Sequence, residues 1–427
     1  MRKFLLLALL GSVLAVFTSS AVQAGELDFL LEALVEKGIV SPIEAAKIKE
    51  STEKAVKEDL AAGRSYALPE WVQKMKIKGD FRMRNQYERT TNSAEGRNRA
   101  RIRLRVGVES TVFENILVAF GLATGSGDPR SSNQTLEDTF NKPDIRLDYA
   151  YAEMQKILEH LSVAVGKFPF AKWLWLPTDL AWDTDITTDG FSSLWEGNII
   201  PDLDYWLGGG IWLLDEAGSS LDDPDPFIKY VQGGVKFKAF ENKIDGKMAV
   251  TFYDPQGLVG LTLANDSETN TGASTSTGLQ SNYRAVSPGA EFGIAKPFGG
   301  LPFNIDERIA IFGEYIHNLD TGLIGEDISD FTGHAFGIVF GHNKVSYPGA
   351  WQLRYIKAKL GKDAWIDALP DSDRAFGGDT DIESHEAIFT LGLKKNVSFG
   401  LDYYKSWSMT NRQNKEHIVQ ADLNFKF

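Results

Sequence analysis

The residues best placed to do chemistry are basic. Arg99, Arg101, Arg103 and Arg105 take every second position of RARIRLRVGV, and Lys76, Lys78, Arg82 and Arg84 follow nearly the same rule in MKIKGDFRMR. In an extended chain, residues two apart lie ~7 Å from one another on one face. Like charges so spaced are only partly screened over a Debye length of ~8 Å at physiological salt, so they raise the local anion concentration. An acidic counterpart is KWLWLPTDLAWDTDITTDG, with Asp179, Asp183, Asp185 and Asp189 around Trp182. Acid on one side and base on the other would set up a transverse field that orients polar solutes. Alternatively, the arginines pair with Asp80, Asp148 and similar carboxylates. The residues alone allow both.

Bond-making chemistry has less support. The six histidines are His160, His317, His334, His342, His385 and His417, and none falls in an H-E-x-x-H arrangement or a G-x-S-x-G elbow. Binding or transport is expected rather than catalysis, with no cofactor. DDPDP (Asp222 to Pro226) and DTDITTD (Asp183 to Asp189) could offer oxygen ligands, but neither has the EF-hand spacing or its glycine. Solvated loop charge is the expectation there, and no metal site. Trp173, Trp175 and Trp182 suit either sugar stacking or the aromatic girdle at a membrane interface. The girdle is the favoured reading, with Trp182, deep in its loop, as the exception.

The elements that position these residues are strands. Met75, Ile77, Phe81 and Met83 alternate with the first basic set, and Ile102, Leu104, Val106 and Val108 with the second. Segments of ~10 alternating residues, joined by short turns and long polar loops in turn, are the signature of an outer-membrane barrel. Arginine on a lipid-facing position costs ~2–4 kcal/mol near the midplane, so the basic parity is assigned to the lumen. Short connections at STVFEN, KILEH, AFENKIDG, KPFGGLPFN, HNKVSYPG and LKKN are expected in the periplasm. Long ones at about 124–143, 169–190, 256–282, 318–331, 361–382 and 407–415 are expected outside the cell. Fifteen strands are plain, and the alternation breaks only between 169 and 226. A weak strand at FSSLWEGNI with a turn at PDLD restores it and gives about sixteen.

The two ends of the chain fit an exported barrel. MRKFLLLALLGSVLAVFTSSAVQA reads as a signal peptide cleaved after Ala24. Without Arg2 and Lys3, 43 basic residues stand against 58 acidic, a net charge of −15 that argues against a nucleic-acid partner. Cysteine is absent, which excludes disulfides and thiolate metal sites. Leu27, Leu30, Leu31 and Leu34 suggest a helix ended by Gly38, and SPIE is a capping box that starts another, with Ser41 as N-cap, Pro42 at the first helical position and Glu44 reaching back. A helical hairpin and linker over 25–70 follow, then the barrel from 71. The final HIVQADLNFKF puts Val419, Ala421, Leu423, Phe425 and Phe427 on one apolar face.

Two stretches, LATGSGDPRSSNQTLEDTFNKPDIRLDYAYAE (122 to 153) and GKFPFAKWLWLPTDLAWDTDITTDG (166 to 190), resemble a porin family of Gram-negative outer membranes. The resemblance implies a general-porin-like transmembrane β-barrel for passive diffusion of small hydrophilic solutes and ions. It brings no agreed binding residues. The loop 169–190, with its aspartates and Trp182, resembles the inward-folded constriction loop of general porins, and Phe427 resembles the signal read by the barrel-assembly machinery. Expected partners are outer-membrane lipid, that machinery and small solutes; a homotrimer and a peptidoglycan contact through the helices stay open. A channel selective for anions or sugars, or a protein tethering outer membrane to cell wall, remains the alternative.

Overall fold

A computed structural model describes residues 31, 34–35, 40–61, 70–93, 95–216, 225–263, 268–297, 308–320, 328–374 and 376–427. The predicted leader, the predicted linker at 63–69 and Asp222–Asp223 lie outside the described residues. The chain divides into two units, Met1–Gln73 and Lys74–Phe427. In the first, helix α1 (Pro42–Ala61) starts at the predicted capping box. The Ser41 amide donates to Glu44 Oε2 at 3.0 Å, and the Glu44 amide donates back to Ser41 Oγ at 3.3 Å. A four-residue helix, α2 (Glu70–Gln73), follows.

The second unit is an antiparallel barrel. Among the described residues its long strands are β1 (Lys76–Thr90), β2 (Arg97–Phe113), β3 (Ile116–Thr124), β4 (Ile145–Ile157), β5 (Leu161–Pro169), β6 (Thr187–Ile200), β7 (Leu203–Leu213) and β8 (Phe227–Ala239). They continue as β9 (Ile244–Gln256), β10 (Ala285–Ala295), β11 (Arg308–Asn318), β12 (Thr332–Gly341), β13 (Trp351–Leu360), β14 (Ile382–Lys394), β15 (Val397–Ser408) and β16 (Lys415–Lys426). Each pairs with its neighbour in sequence, and β1 pairs with β16 from Asp80↔Lys426 to Thr90↔Glu416. Sixteen strands close on themselves, so no strand edge is left open. A two-residue bridge, Gln134–Thr135, adds to β2 where the shorter β3 has ended.

The expected weak strand is a full one. FSSLWEGNI lies inside β6, and Pro201 and Asp202 make the turn to β7. Because β6 begins at Thr187, Asp189 leaves the predicted loop. The ladder continues through Lys167↔Asp189, and Lys167 Nζ pairs with Asp189 at 2.9 Å. The β-branched Thr187 and Thr188 favour that extension.

The alternation fixes which face is which. Ile77, Met83 and Tyr87 of β1 are exposed on the outer wall, beside Val118, Phe120 and Leu122 of β3. The opposite parity of β1 and β2 faces the lumen, in the register Asp80↔Arg105, Arg82↔Arg103, Arg84↔Arg101 and Gln86↔Arg99. Phe427 stands at the foot of this seam. Its amide donates to Gly79 O at 3.0 Å, and Gly79 N donates to its carbonyl at 2.9 Å. Only glycine fits at 79, because a Cβ there would lie 2.4 Å from the Arg105 carbonyl oxygen and 2.6 Å from the Phe427 ring.

Candidate functional site

The lumen is where the charged residues converge, and three loops shape it. Loop 170–186, between β5 and β6, crosses to the far wall: Thr178 Oγ1 donates to Glu314 Oε2 of β11 at 2.7 Å, and Arg354 of β13 donates to the Pro177 carbonyl at 2.8 Å. Loop 361–381 meets it inside the barrel. Asp183 N donates to Leu369 O at 2.8 Å, and Ser372 N donates to Asp183 Oδ2 at 3.0 Å. Loop 257–284 joins them, with Asn270 Nδ2 donating to the carbonyls of Lys362 at 2.7 Å and Trp365 at 2.9 Å. The stretches 256–282 and 361–382 are among the long connections expected outside the cell. Both spring from the long-loop end but turn inward, because their apolar residues bury against one another.

The tryptophans explain why. Trp182 is 2% exposed, with ring centroids at 5.1 Å from Trp212, 5.7 Å from Phe170, 6.0 Å from Trp365 and 6.2 Å from Tyr253. Trp173, Leu174, Leu180, Ile366 and Leu369 are buried in the same cluster. Aromatic groups of this size bury 150–250 Å² each, roughly the area that would otherwise lie against water. The girdle expected of Trp173 and Trp175 is therefore corrected, since both turn inward. Trp175 is half-buried and T-shaped against Trp206 at 6.2 Å, and Gln232 holds it by donating to its carbonyl at 2.8 Å. Lys247 Nζ lies 4.7 and 4.8 Å from the two ring centroids, a cation–π contact with both.

The basic row lies on the opposite side of this plug, and it is paired. Arg103 Nη2 is 2.8 Å from Asp80, and Arg105 Nη2 is 2.9 Å from Asp185 with Arg103 3.8 Å away. Arg84 bonds Asp422 at 2.8 Å and Asp373 at 3.0 Å. Arg82 donates to Asn133 Oδ1 at 2.5 Å, Arg101 donates to Gln86 Oε1 at 3.1 Å, and Arg99 pairs with Glu88. Lys78 pairs with Glu109 at 2.5 Å, while Lys76 is exposed at the strand's start. The expected field across an open gap is thus corrected, because Asp185 reaches the arginines and neutralises them at contact.

The other predicted aspartates play different parts. Asp179 is held by Arg374, which is 1% exposed and also lies 3.3 Å from Glu386 and 3.8 Å from Asp371. Asp183 is buried; burial, with Asp185 alongside, pushes its carboxyl up to about 8 despite two backbone donors. Burial likewise lifts Asp371 well above the usual carboxylate range. Asp373 is also desolvated, yet the Arg84 guanidinium holds it below that range. Sequence reasoning missed Arg374, Asp373, Asp422 and Trp365. Asp422 was legible, since it shares the lumen parity of β16 and is the register partner of Arg84.

Water-accessible space remains beside the basic row. A cavity of about 380 Å³ is bordered by Lys78, Asp80, Arg105, Asp148, Tyr149 and Asp185. A second, of about 510 Å³ toward the long loops, is bordered by Thr124, Asp128, Ser132, Arg146 and Asp148, and both share Asp148 and Thr187.

A sixteen-stranded antiparallel barrel, apolar outside, charged inside and narrowed by an inward loop, defines a porin-like outer-membrane channel. The chain belongs to the family described as "Putative porin", which matches residues 85–282 and 264–427. Among solved structures, the high-pH form of OprB from Pseudomonas putida is similar at a TM-score of 0.52 and 10% identity, over 86% of this chain and 97% of that one. A triple mutant of Rhodopseudomonas blastica porin aligns at 0.43 and 10% identity (83% and 100% of the two chains), and Salmonella typhi OmpF in complex with daunomycin at 0.44 and 9% identity (83% and 97%). At such identities the likeness to OprB is one of fold. None of the curated proteins matches.

Proposed function

We propose that the chain is a diffusion porin whose route for small hydrophilic solutes and ions runs eccentrically, between the aromatic plug and the basic row of β1 and β2. The observation that carries this reading is the pair of cavities sharing Asp148 and Thr187, with the Arg105–Asp185 pair bordering the first of them. A ring of fixed charges at a constriction governs which ions pass. Lys78, Asp80, Arg103, Arg105 and Asp185 are the lining residues this assigns. Short turns face the periplasm and long loops the exterior, and Phe427 serves as the insertion signal. A leader ending at Ala24, periplasmic helices that can reach the cell wall, and trimeric assembly complete the proposal.

A channel selective for anions or sugars is the second reading, and the cavity of about 540 Å³ that Trp173, Trp175 and Trp206 line together with Gln232 and Lys247 favours it for sugars. Liposome swelling with graded sugars, beside single-channel recording, separates the two. A rate that falls smoothly with sugar size supports diffusion. A saturable preference for one solute overturns it.

A further inference from the structure

The outer wall carries a second row of charge, and the channel does not use it. Cross-strand register sets Lys357 opposite His385, His385 opposite Lys405, Lys405 opposite His417, and His417 opposite Arg89. These five residues run straight across β13, β14, β15, β16 and β1, which at ~4.8 Å between strands makes a band about 20 Å long. They share the parity of the exposed Leu353, Tyr355, Leu401, Tyr403 and Val419, so they face outward. All lie within three residues of the long-loop ends of their strands. Lys359, opposite His334, and Lys415, opposite Trp407, extend the band toward the rim.

Two tyrosines fix the imidazoles from the membrane side: Tyr355 Oη lies 2.5 Å from His385 Nδ1 and Tyr403 Oη 2.9 Å from His417 Nδ1. Lys357, Lys359, Lys405, Lys415 and Arg89 carry fixed charge here. Among the described residues of this stretch the carboxylate is Glu383, 3.3 Å from Lys357 and shared with Arg412 at 3.8 Å. Lys357, Lys405 and Arg89 stand two strands (~10 Å) apart with a histidine between each pair, so their repulsion is only partly screened over a Debye length of ~8 Å. The band therefore calls for an anion from outside the chain, at headgroup depth, spread along 20 Å of wall.

We infer that this band binds the phosphate groups of a phosphorylated lipid in the leaflet at the long-loop end. The cations pair with the phosphates, the histidines add donors, and the exposed tyrosines and leucines below lie along its acyl chains. The inference rests on the barrel spanning a membrane, as the proposed function also requires.

The test uses the full chain reconstituted in phosphatidylcholine nanodiscs with lipid A or with lipid A stripped of its phosphates, and reads retained lipid by native mass spectrometry. The wild type should retain lipid A and release the stripped form. Replacing Lys357, Lys405 and Arg89 together by Gln should weaken retention roughly a hundredfold, about fivefold for each cation. Lys405→Gln alone should cost about fivefold, which keeps the test decisive should the triple variant fail to fold. Lys229→Gln, on the outward face of β8, should change nothing. Equal retention by a folded variant, or of the stripped lipid, overturns the proposal. So does a variant that loses an oligomer while keeping its lipid, which would make the band a contact between copies. A barrel that conducts yet retains no lipid A defeats this inference alone, whereas one that never inserts defeats the channel reading with it.

Discussion

Asp183 and Asp185 are two residues apart and look alike in sequence, yet their replacements should behave differently. Asp185 belongs to a cluster with Arg105, Arg103 and Asp80, two cations and two anions held at 2.8 to 3.8 Å. The cluster is neutral, and it borders the 380 Å³ cavity. Asp185→Asn leaves it at +1, and Arg105→Gln leaves it at −1. One uncompensated charge acts on an ion ~6 Å away with about 0.7 kcal/mol in water, which changes the local ion concentration about threefold. Reversal potentials in a salt gradient should therefore move toward anions for Asp185→Asn and toward cations for Arg105→Gln, each by about threefold in permeability ratio. Near 1 M salt, where the Debye length falls to ~3 Å, both shifts should shrink. Asp183→Asn should leave selectivity alone at pH 7, because that carboxyl is buried and titrates at about 8. Unchanged reversal potentials in folded Asp185 and Arg105 variants would refute the assignment of the route. An Asp183 variant as strong as the Asp185 one would refute the distinction between them.

Trp182→Ala removes the centre of the plug, should destabilise it by ~3–5 kcal/mol, and should raise single-channel conductance; unaltered conductance would show that the plug does not limit flow. The plug should also respond to pH: Asp183 is raised from 3.8 to about 8 on folding, so its contribution is present at low pH and lost as pH rises through about 8. Conductance noise should grow from about pH 4 to about 8 and level off above that, and Asp183→Asn should abolish that growth. Deleting Phe427 removes both backbone bonds to Gly79, and the yield of heat-modifiable barrel should fall while export continues; a normal yield would make the terminus incidental.

The strands were legible because a wall between lipid and water imposes a period of two on every one of them. RARIRLRVGV displays it openly, and the same rule located β6, whose Ser192, Ser193 and Gly197 blur the pattern. The interior was harder. A plug packs from all sides and needs no period, so KDAWIDALPDSDR reads as a polar loop although Ala364, Trp365, Ile366, Ala368 and Leu369 are all buried. Its Trp, Ile and Leu were the available signal. Arg374 was beyond reach, because its partner Asp179 lies 195 positions away and only the fold brings them together. The arginine row was half legible: its face followed from parity, whereas the neutralising Asp373 comes from a loop whose path parity does not constrain.

The two charged rows of this barrel pose the same electrostatic problem and meet it differently. Inside, Arg82 stands opposite Arg103 and Arg84 opposite Arg101, an arrangement that would push β1 and β2 apart if left bare. The chain supplies Asp80, Asp422, Asp373 and Asp185 at bonding distance, two of them from loops, so closing the plug also neutralises the wall. The inner row is thus coupled to loop position, and a displaced Asp185 would expose Arg105 to the passage at the moment the route widens. Outside, Lys405 sits between His385 and His417, and among the described residues no loop carboxylate pairs with it. Glu383 balances Lys357, and on the inference drawn above lipid phosphates balance the rest, which would make the lipid composition part of what stabilises β13 to β1.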